Sequence, residues 1–142
     1  VTGSGVVASV GGYVRFQAAV ETGDGRFPGV FGLVNGLARR GVLSGEQEAF
    51  RRVSNDWFDA NFTNPGTVDP SVYDQGLHPG AVAWFKASAG ELIERVTGYL
   101  EILDQHQVGW VRLAATDPGL IIYEDEHQVV AMPRAGERPA SE

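Results

Sequence analysis

Residues 81–133 restrict the fold more than any other part of the chain, because they alternate extended and helical patterns in one fixed order. Ala83 and Phe85 alternate with Val82, Trp84 and Lys86, the period-two signature of a strand. Ser88-Ala89-Gly90-Glu91 has capping-box spacing, and Leu92, Ile93, Val96, Leu100 and Leu103 recur behind it at helical spacing, with Tyr99 at the margin. Gly98 costs such a helix about 1 kcal/mol relative to Ala, which implies a close neighbour there. Residues 109–114 read as the next strand. Strand, helix and strand make a βαβ unit, with a right-handed crossover and parallel pairing of its two strands expected. Asp117-Pro118-Gly119 then turns the chain, and residues 120–124 and 128–132 close it as a hairpin.

The N-terminal half supplies the other elements. Tyr13, Arg15, Gln17 and Ala19 alternate with Val14, Phe16, Ala18 and Val20, as in a half-buried strand. Residues 27–40 read as a helix, with Pro28 in its first turn, Val30, Phe31, Val34, Leu37 and Ala38 as its apolar stripe, and Gly41 as its stop. Ser44-Gly45-Glu46-Gln47 is a capping box. The helix it opens carries Phe50, Val53, Trp57 and Ala60 at helical spacing, beside Phe58. Two helices so closely linked invite a helix-turn-helix reading, but Arg51, Arg52 and Asn55 are mixed with Glu46, Glu48, Asp56 and Asp59, which would face phosphate unfavourably. An antiparallel helical hairpin lying on a sheet fits better. The irregular stretch 63–80, rich in Pro and Gly, reads as a mobile lid or partner contact.

Composition narrows the function classes. The chain of 142 residues has a length of about one domain. It has no cysteine, which removes disulfides, thiolate catalysis and cysteine–metal sites and suits a cytoplasmic protein. A net charge of −7 disfavours general nucleic-acid binding and suits a basic partner. No apolar run is long enough to cross a bilayer. Residues 1–12 read as a flexible leader, 13–133 as a single α+β domain and 134–142 as a disordered tail.

Candidate chemistry gathers at the hairpin tip, where Glu124, Asp125, Glu126 and His127 are consecutive. Adjacent strand residues point to opposite faces, so this run is a poor chelator, and we expect no metal and no cofactor. Glu124 and His127 flank the turn and are the candidate acid–base pair. A metal would need further ligands such as Asp69, Asp74 or His78 from the 63–80 stretch, and Asp74 or His78 are the residues there that would supplement the acid–base pair. Nucleotide-binding glycine loops and a serine-hydrolase elbow are absent from the sequence. A second candidate is a sheet face carrying Tyr13, Arg15, Gln17, Trp110 and Arg112, joined by Tyr123 if the register agrees, because aromatics among arginines resemble protein-interface hot spots.

The expected architecture is α+β: a mixed sheet of about five strands, about three helices mainly on one face, one βαβ unit and a C-terminal hairpin. Two functional readings follow. One is an acidic interaction or regulatory domain without catalysis. It would bind another protein, a basic one being the electrostatic match, or a second copy of itself. The alternative is a small enzyme or ligand-binding domain, with carboxylate and histidine groups between the 63–80 stretch and the C-terminal hairpin.

Overall fold

The computed structural model describes residues 12–23 and 25–134. The expected leader, apart from Gly12, and the expected tail, apart from Arg134, lie outside the described residues. The chain forms one α+β domain around a five-stranded sheet of order β3-β1-β2-β5-β4. The elements in sequence are β1 (Tyr13–Ala18), α1 (Val30–Arg39), α2 (Gly45–Asn61), α3 (Pro65–Val68), β2 (Val82–Lys86), α4 (Gly90–Arg95), α5 (Thr97–Gln105), β3 (Trp110–Ala115), β4 (Leu120–Glu124) and β5 (Gln128–Met132).

Every neighbouring strand pair is antiparallel. The crossover from β2 through α4 and α5 to β3 does make those two strands run the same way. They are not paired, however, because β1 lies between them and pairs antiparallel with both. The parallel pairing expected within the βαβ unit is therefore absent. The burial of β1 explains the insertion: five of its six residues, Val14 to Ala18, are buried, as a strand with neighbours on both sides allows.

Residues opposite one another across a ladder share a face. Phe16 opposes Arg112, Val14 opposes Phe85, and Phe85 opposes Gln128. The face so defined carries the helices. Val14, Phe16 and Phe85 join Val30, Val34 and Leu37 of α1, Phe58 of α2 and Leu92, Val96, Tyr99, Ile102 and Leu103 of the α4–α5 segment in the main core. The stretch 63–80 covers the rest of this face, where Val72 is fully buried against Ala81 and Val130. The opposite face holds a second apolar cluster of Trp84, Val129 and Ala131.

Ser44 caps α2 as its sequence predicts: its hydroxyl accepts from Gln47 N at 3.1 Å, and the Gln47 side chain accepts from Ser44 N at 2.9 Å. The apolar phase of α2 differs from expectation by one position. Val53 is 71% exposed, and the helix instead buries Ser54 and Phe58. The expected capping box at Ser88 does not form, since the helix begins one residue later with Ala89 as its cap. Expected as one helix, this stretch is two, jointed at Val96.

Gly98 sits where the sequence requires space. A methyl group built there would overlap the Phe50 ring, which meets Tyr99 edge-on at 5.4 Å. Overpacking of this kind costs about 1–3 kcal/mol, against the ~1 kcal/mol of helix propensity that Ala would gain. Gly98→Ala is therefore expected to lower stability by about 1 kcal/mol in urea denaturation, and a Phe50→Leu background should reverse the sign.

Candidate functional site

The pairing of β1 with β2 is short. Only Tyr13 with Lys86 and Val14 with Phe85 are in register, after which the strands part. Residues 27–29 then take the place of β2: Ala18 N donates to Pro28 O at 2.8 Å, and Gln17 forms a bridge with Gly29. Pro28 thus lies in an extended segment beside β1. The expected position in the first turn of α1 is not observed, because that helix begins only at Val30 with Gly29 as its cap.

Arg15 fills the fork where β2 leaves and residues 27–29 enter. Its Nε donates to Gln17 Oε1 at 2.6 Å, Nη1 to Ala83 O at 3.0 Å and Nη2 to Phe27 O at 2.9 Å. These are three neutral acceptors for the five N–H groups of a guanidinium. No carboxylate among the described residues pairs with it, although the side chain is 9% exposed. Burial draws its pKa down to about 10, with the neighbouring Tyr73 acting weakly the other way, so it stays cationic at neutral pH. The expectation of Arg15 as a contact residue on an open sheet face is corrected: its guanidinium is buried and, among the described residues, pairs with no carboxylate.

A cavity of about 500 Å³ opens beside this fork. Its apolar wall includes Phe31, Phe58, Phe62 and Phe85, while Arg15, Asn35, Asn55, Tyr73 and Gln128 supply polar groups and Asp59 lines it as an exposed carboxylate. Phe31 meets Phe58 edge-on at 4.9 Å, and Phe62 lies 5.2 Å from Phe85, so the aromatic side is continuous. On the polar side, Asn35 Oδ1 accepts from Asn55 Nδ2 and from Arg51 Nη1, both at 3.1 Å, and Tyr99 donates its hydroxyl to Asn55 Oδ1 at 2.6 Å. Glu48 holds Arg51 in turn, at 2.7 Å. These bonds fix the two asparagines at the cavity wall. Burial pushes the Tyr73 phenol up, with Arg15 opposing.

The residues expected to share an interaction face are divided between the two sides of the sheet. Trp110 opposes Ala18 and Arg112 opposes Phe16, which puts both on the helix face, whereas Tyr13 packs with the opposite cluster. The reason is local. Trp110 packs 6.3 Å from Phe16 and donates Nε1 to Asp104 at 2.9 Å, and Arg112 lies 6.0 Å over the Phe16 ring. Tyr123 opposes Val130 and donates its hydroxyl to Asp125 at 2.8 Å.

The proposed Glu124–His127 pair is likewise not assembled. Glu124 opposes Val129 and its carboxylate meets Lys86 Nζ at 2.6 Å, while the nearest acid to the His127 ring is Glu126 at 3.8 Å. Asp74 and His78 do not join them. Asp74 Oδ1 accepts from the amides of Gly76 and Leu77, and His78 Nδ1 meets the carbonyls of Ser71 and Val72, so both serve the local winding of their loop. Asp69 Oδ1 similarly accepts from the Ser71 amide and hydroxyl. Among the described residues, no three or more His, Asp or Glu side chains gather as metal ligands would. No helix among them is long and apolar enough to cross a membrane.

Asp125 organises the hairpin tip. Its Oδ1 accepts from the amides of His127 and Gln128, and its Oδ2 from the Tyr123 hydroxyl and Gln128 Nε2. Burial alone would raise its carboxyl, but these bonds together hold it below the ordinary value. A depressed folded-state pKa stabilises the fold above the unfolded value near 3.9, and that contribution disappears as pH falls through the folded value. Asp125→Asn should therefore cost about 1–2 kcal/mol at pH 7 and progressively less below about pH 4, measured by denaturation at each pH. Equal losses at both pH values would contradict this role.

Signals for the cavity were weak in the sequence. Arg15 is legible there as a cation on an alternating strand and a candidate for a sheet-face contact, not as a cavity residue, and Gln128 only as a strand's first residue. No protein-family model, curated protein or solved structure matches the chain.

Proposed function

We propose that the protein is a ligand-binding domain that takes a small organic acid in the cavity beside Arg15. The observation that carries this reading is a buried guanidinium, paired with no carboxylate among the described residues, at an aromatic-lined hollow whose one lining carboxylate, Asp59, stands exposed. An isolated buried charge is costly. An acid head offsets that cost by accepting charge-assisted hydrogen bonds from the donors that Gln17, Ala83 and Phe27 leave unused. The ring or chain of the ligand lies against Phe31, Phe58, Phe62 and Phe85. The volume falls in the range of small-molecule sites, roughly 300–1,000 Å³. Apart from the exposed Asp59 and the Tyr73 phenol, the polar wall consists of amide, hydroxyl and guanidinium groups, which hold a ligand rather than move protons, so the proposal is binding rather than catalysis. A cytoplasmic setting, suited to a cysteine-free chain, belongs to the same proposal.

The test compares phenylpropionate with its uncharged amide by titration calorimetry. The acid is expected to bind about tenfold or more tighter, as one charge-assisted hydrogen bond of about 1.5–3 kcal/mol implies. Equal affinity, or no binding of the acid, would remove the proposal.

A further inference from the structure

Gln128 adds a second recognition group to the cavity. It is fully buried at the start of β5, opposite Phe85, and borders the same hollow as Arg15. Its Nε2 donates to Thr63 O at 2.7 Å and to Asp125 Oδ2 at 3.0 Å. Both partners are acceptors, which settles the orientation of the amide: the nitrogen faces Thr63 and Asp125, and the oxygen faces away from them. That oxygen, Oε1, is buried and has no hydrogen-bond partner among the described residues. A buried acceptor left unpaired is costly, and native structures rarely retain one without a reason. The indole N–H of Trp84 is also unpartnered among the described residues; its ring packs in the cluster on the opposite face, although the residue also contributes to the lining of the hollow.

We infer that the ligand carries a hydrogen-bond donor at the end away from its acid, and that Gln128 Oε1 accepts it. The inference rests on the reading of Arg15 as the acid's partner. The sheet sets the spacing. Arg15 is tied to Ala83 on β2, and Gln128 lies one strand further on, opposite Phe85, two residues along. Strand spacing of about 4.8 Å and a rise of about 3.4 Å per residue put these anchor points on the order of 8 Å apart. A single aromatic ring bearing the acid on a short chain and a hydroxyl at the para position has its two polar ends separated by a length of this order, and Phe85, opposite Gln128, lines the same hollow. The ligand class is therefore a hydroxyaryl carboxylic acid or an equivalent with an N–H donor.

A para-hydroxyl and a para-methoxy group have similar bulk near the ring, but only the first donates. Titration of the wild-type protein with phenylpropionate, para-hydroxyphenylpropionate and para-methoxyphenylpropionate separates the two levels of the reading. The hydroxy acid is expected to bind about tenfold or more tighter than the methoxy acid. The Gln128 side-chain amide resonances should shift with the hydroxy acid and barely move with the methoxy acid. In Gln128→Met, the ratio of the two affinities should fall to about one. If that variant does not fold, the amide resonances of the wild type decide. Equal binding of the two substituted acids, with phenylpropionate itself bound, overturns the role of Gln128 and leaves the role of Arg15 standing. Failure of all three acids to bind overturns both.

Discussion

Arg15→Met is expected to weaken phenylpropionate binding about 10- to 100-fold and to abolish the preference for the acid over its amide. The loss corresponds to the ~1.5–3 kcal/mol of a hydrogen bond to a charged group, at 1.4 kcal/mol per factor of ten. Stability should also fall, because Ala83 O and Phe27 O lose the Arg15 donor in a buried fork and the Arg15–Gln17 bond is lost. Each orphaned acceptor costs about 1–3 kcal/mol, while removal of a desolvated charge returns part of that sum, so a net loss of about 2 kcal/mol is expected. Arg15→Lys separates the two effects. It keeps the charge and loses the planar fork that reaches three acceptors at once. It should retain some acid preference while remaining destabilised. Full acid preference in Arg15→Met, shown by calorimetry on protein that is folded by circular dichroism, would mean that the anion is held elsewhere.

Phe58→Ala should carry the largest stability cost of any single change considered. The ring lies 4.9 Å from Phe31, 5.2 Å from Trp57, 5.9 Å from Tyr99 and 6.1 Å from Phe62, so it joins α1, α2 and α5 in one aromatic cluster. Phe-to-Ala changes in cores cost about 3–5 kcal/mol, a large share of the roughly 5–15 kcal/mol that holds a domain together. Phe58 also lines the cavity, so the variant should enlarge it and lower affinity for a single-ring acid. A loss below about 1 kcal/mol in urea denaturation would show that the cluster is not the centre of the core.

The fold was more legible than the site, for a physical reason. Elements announced by local chemistry can be read locally. Ser44 and Gln47 identify the start of α2, the hairpin of β4 and β5 follows from its flanking patterns, and Gly98 signals its close neighbour. Strand neighbours are set by long-range pairing, so the insertion of β1 between β2 and β3 leaves no local trace. The same limit misassigned β3. Its two faces, Trp110 with Arg112 and Val111 with Leu113, are each compatible with burial, and only the register Phe16 to Arg112 decides between them. Alternation correctly gave Arg15 the parity opposite to Phe16, but parity reports a face and not exposure. The guanidinium is buried because β2 diverges after Val14 and Phe85, which no residue spacing in β1 reveals. The acid cluster at the tip drew notice for its charge density, yet Asp125 is there a bracket for backbone amides and for Gln128.

A crystal structure with phenylpropionate bound tests the role of Arg15 most directly. The carboxylate is expected within about 3 Å of the Arg15 guanidinium, with the ring against Phe31, Phe58 and Phe85. A ligand seated on another surface, with the cavity beside Arg15 unoccupied, would contradict that role.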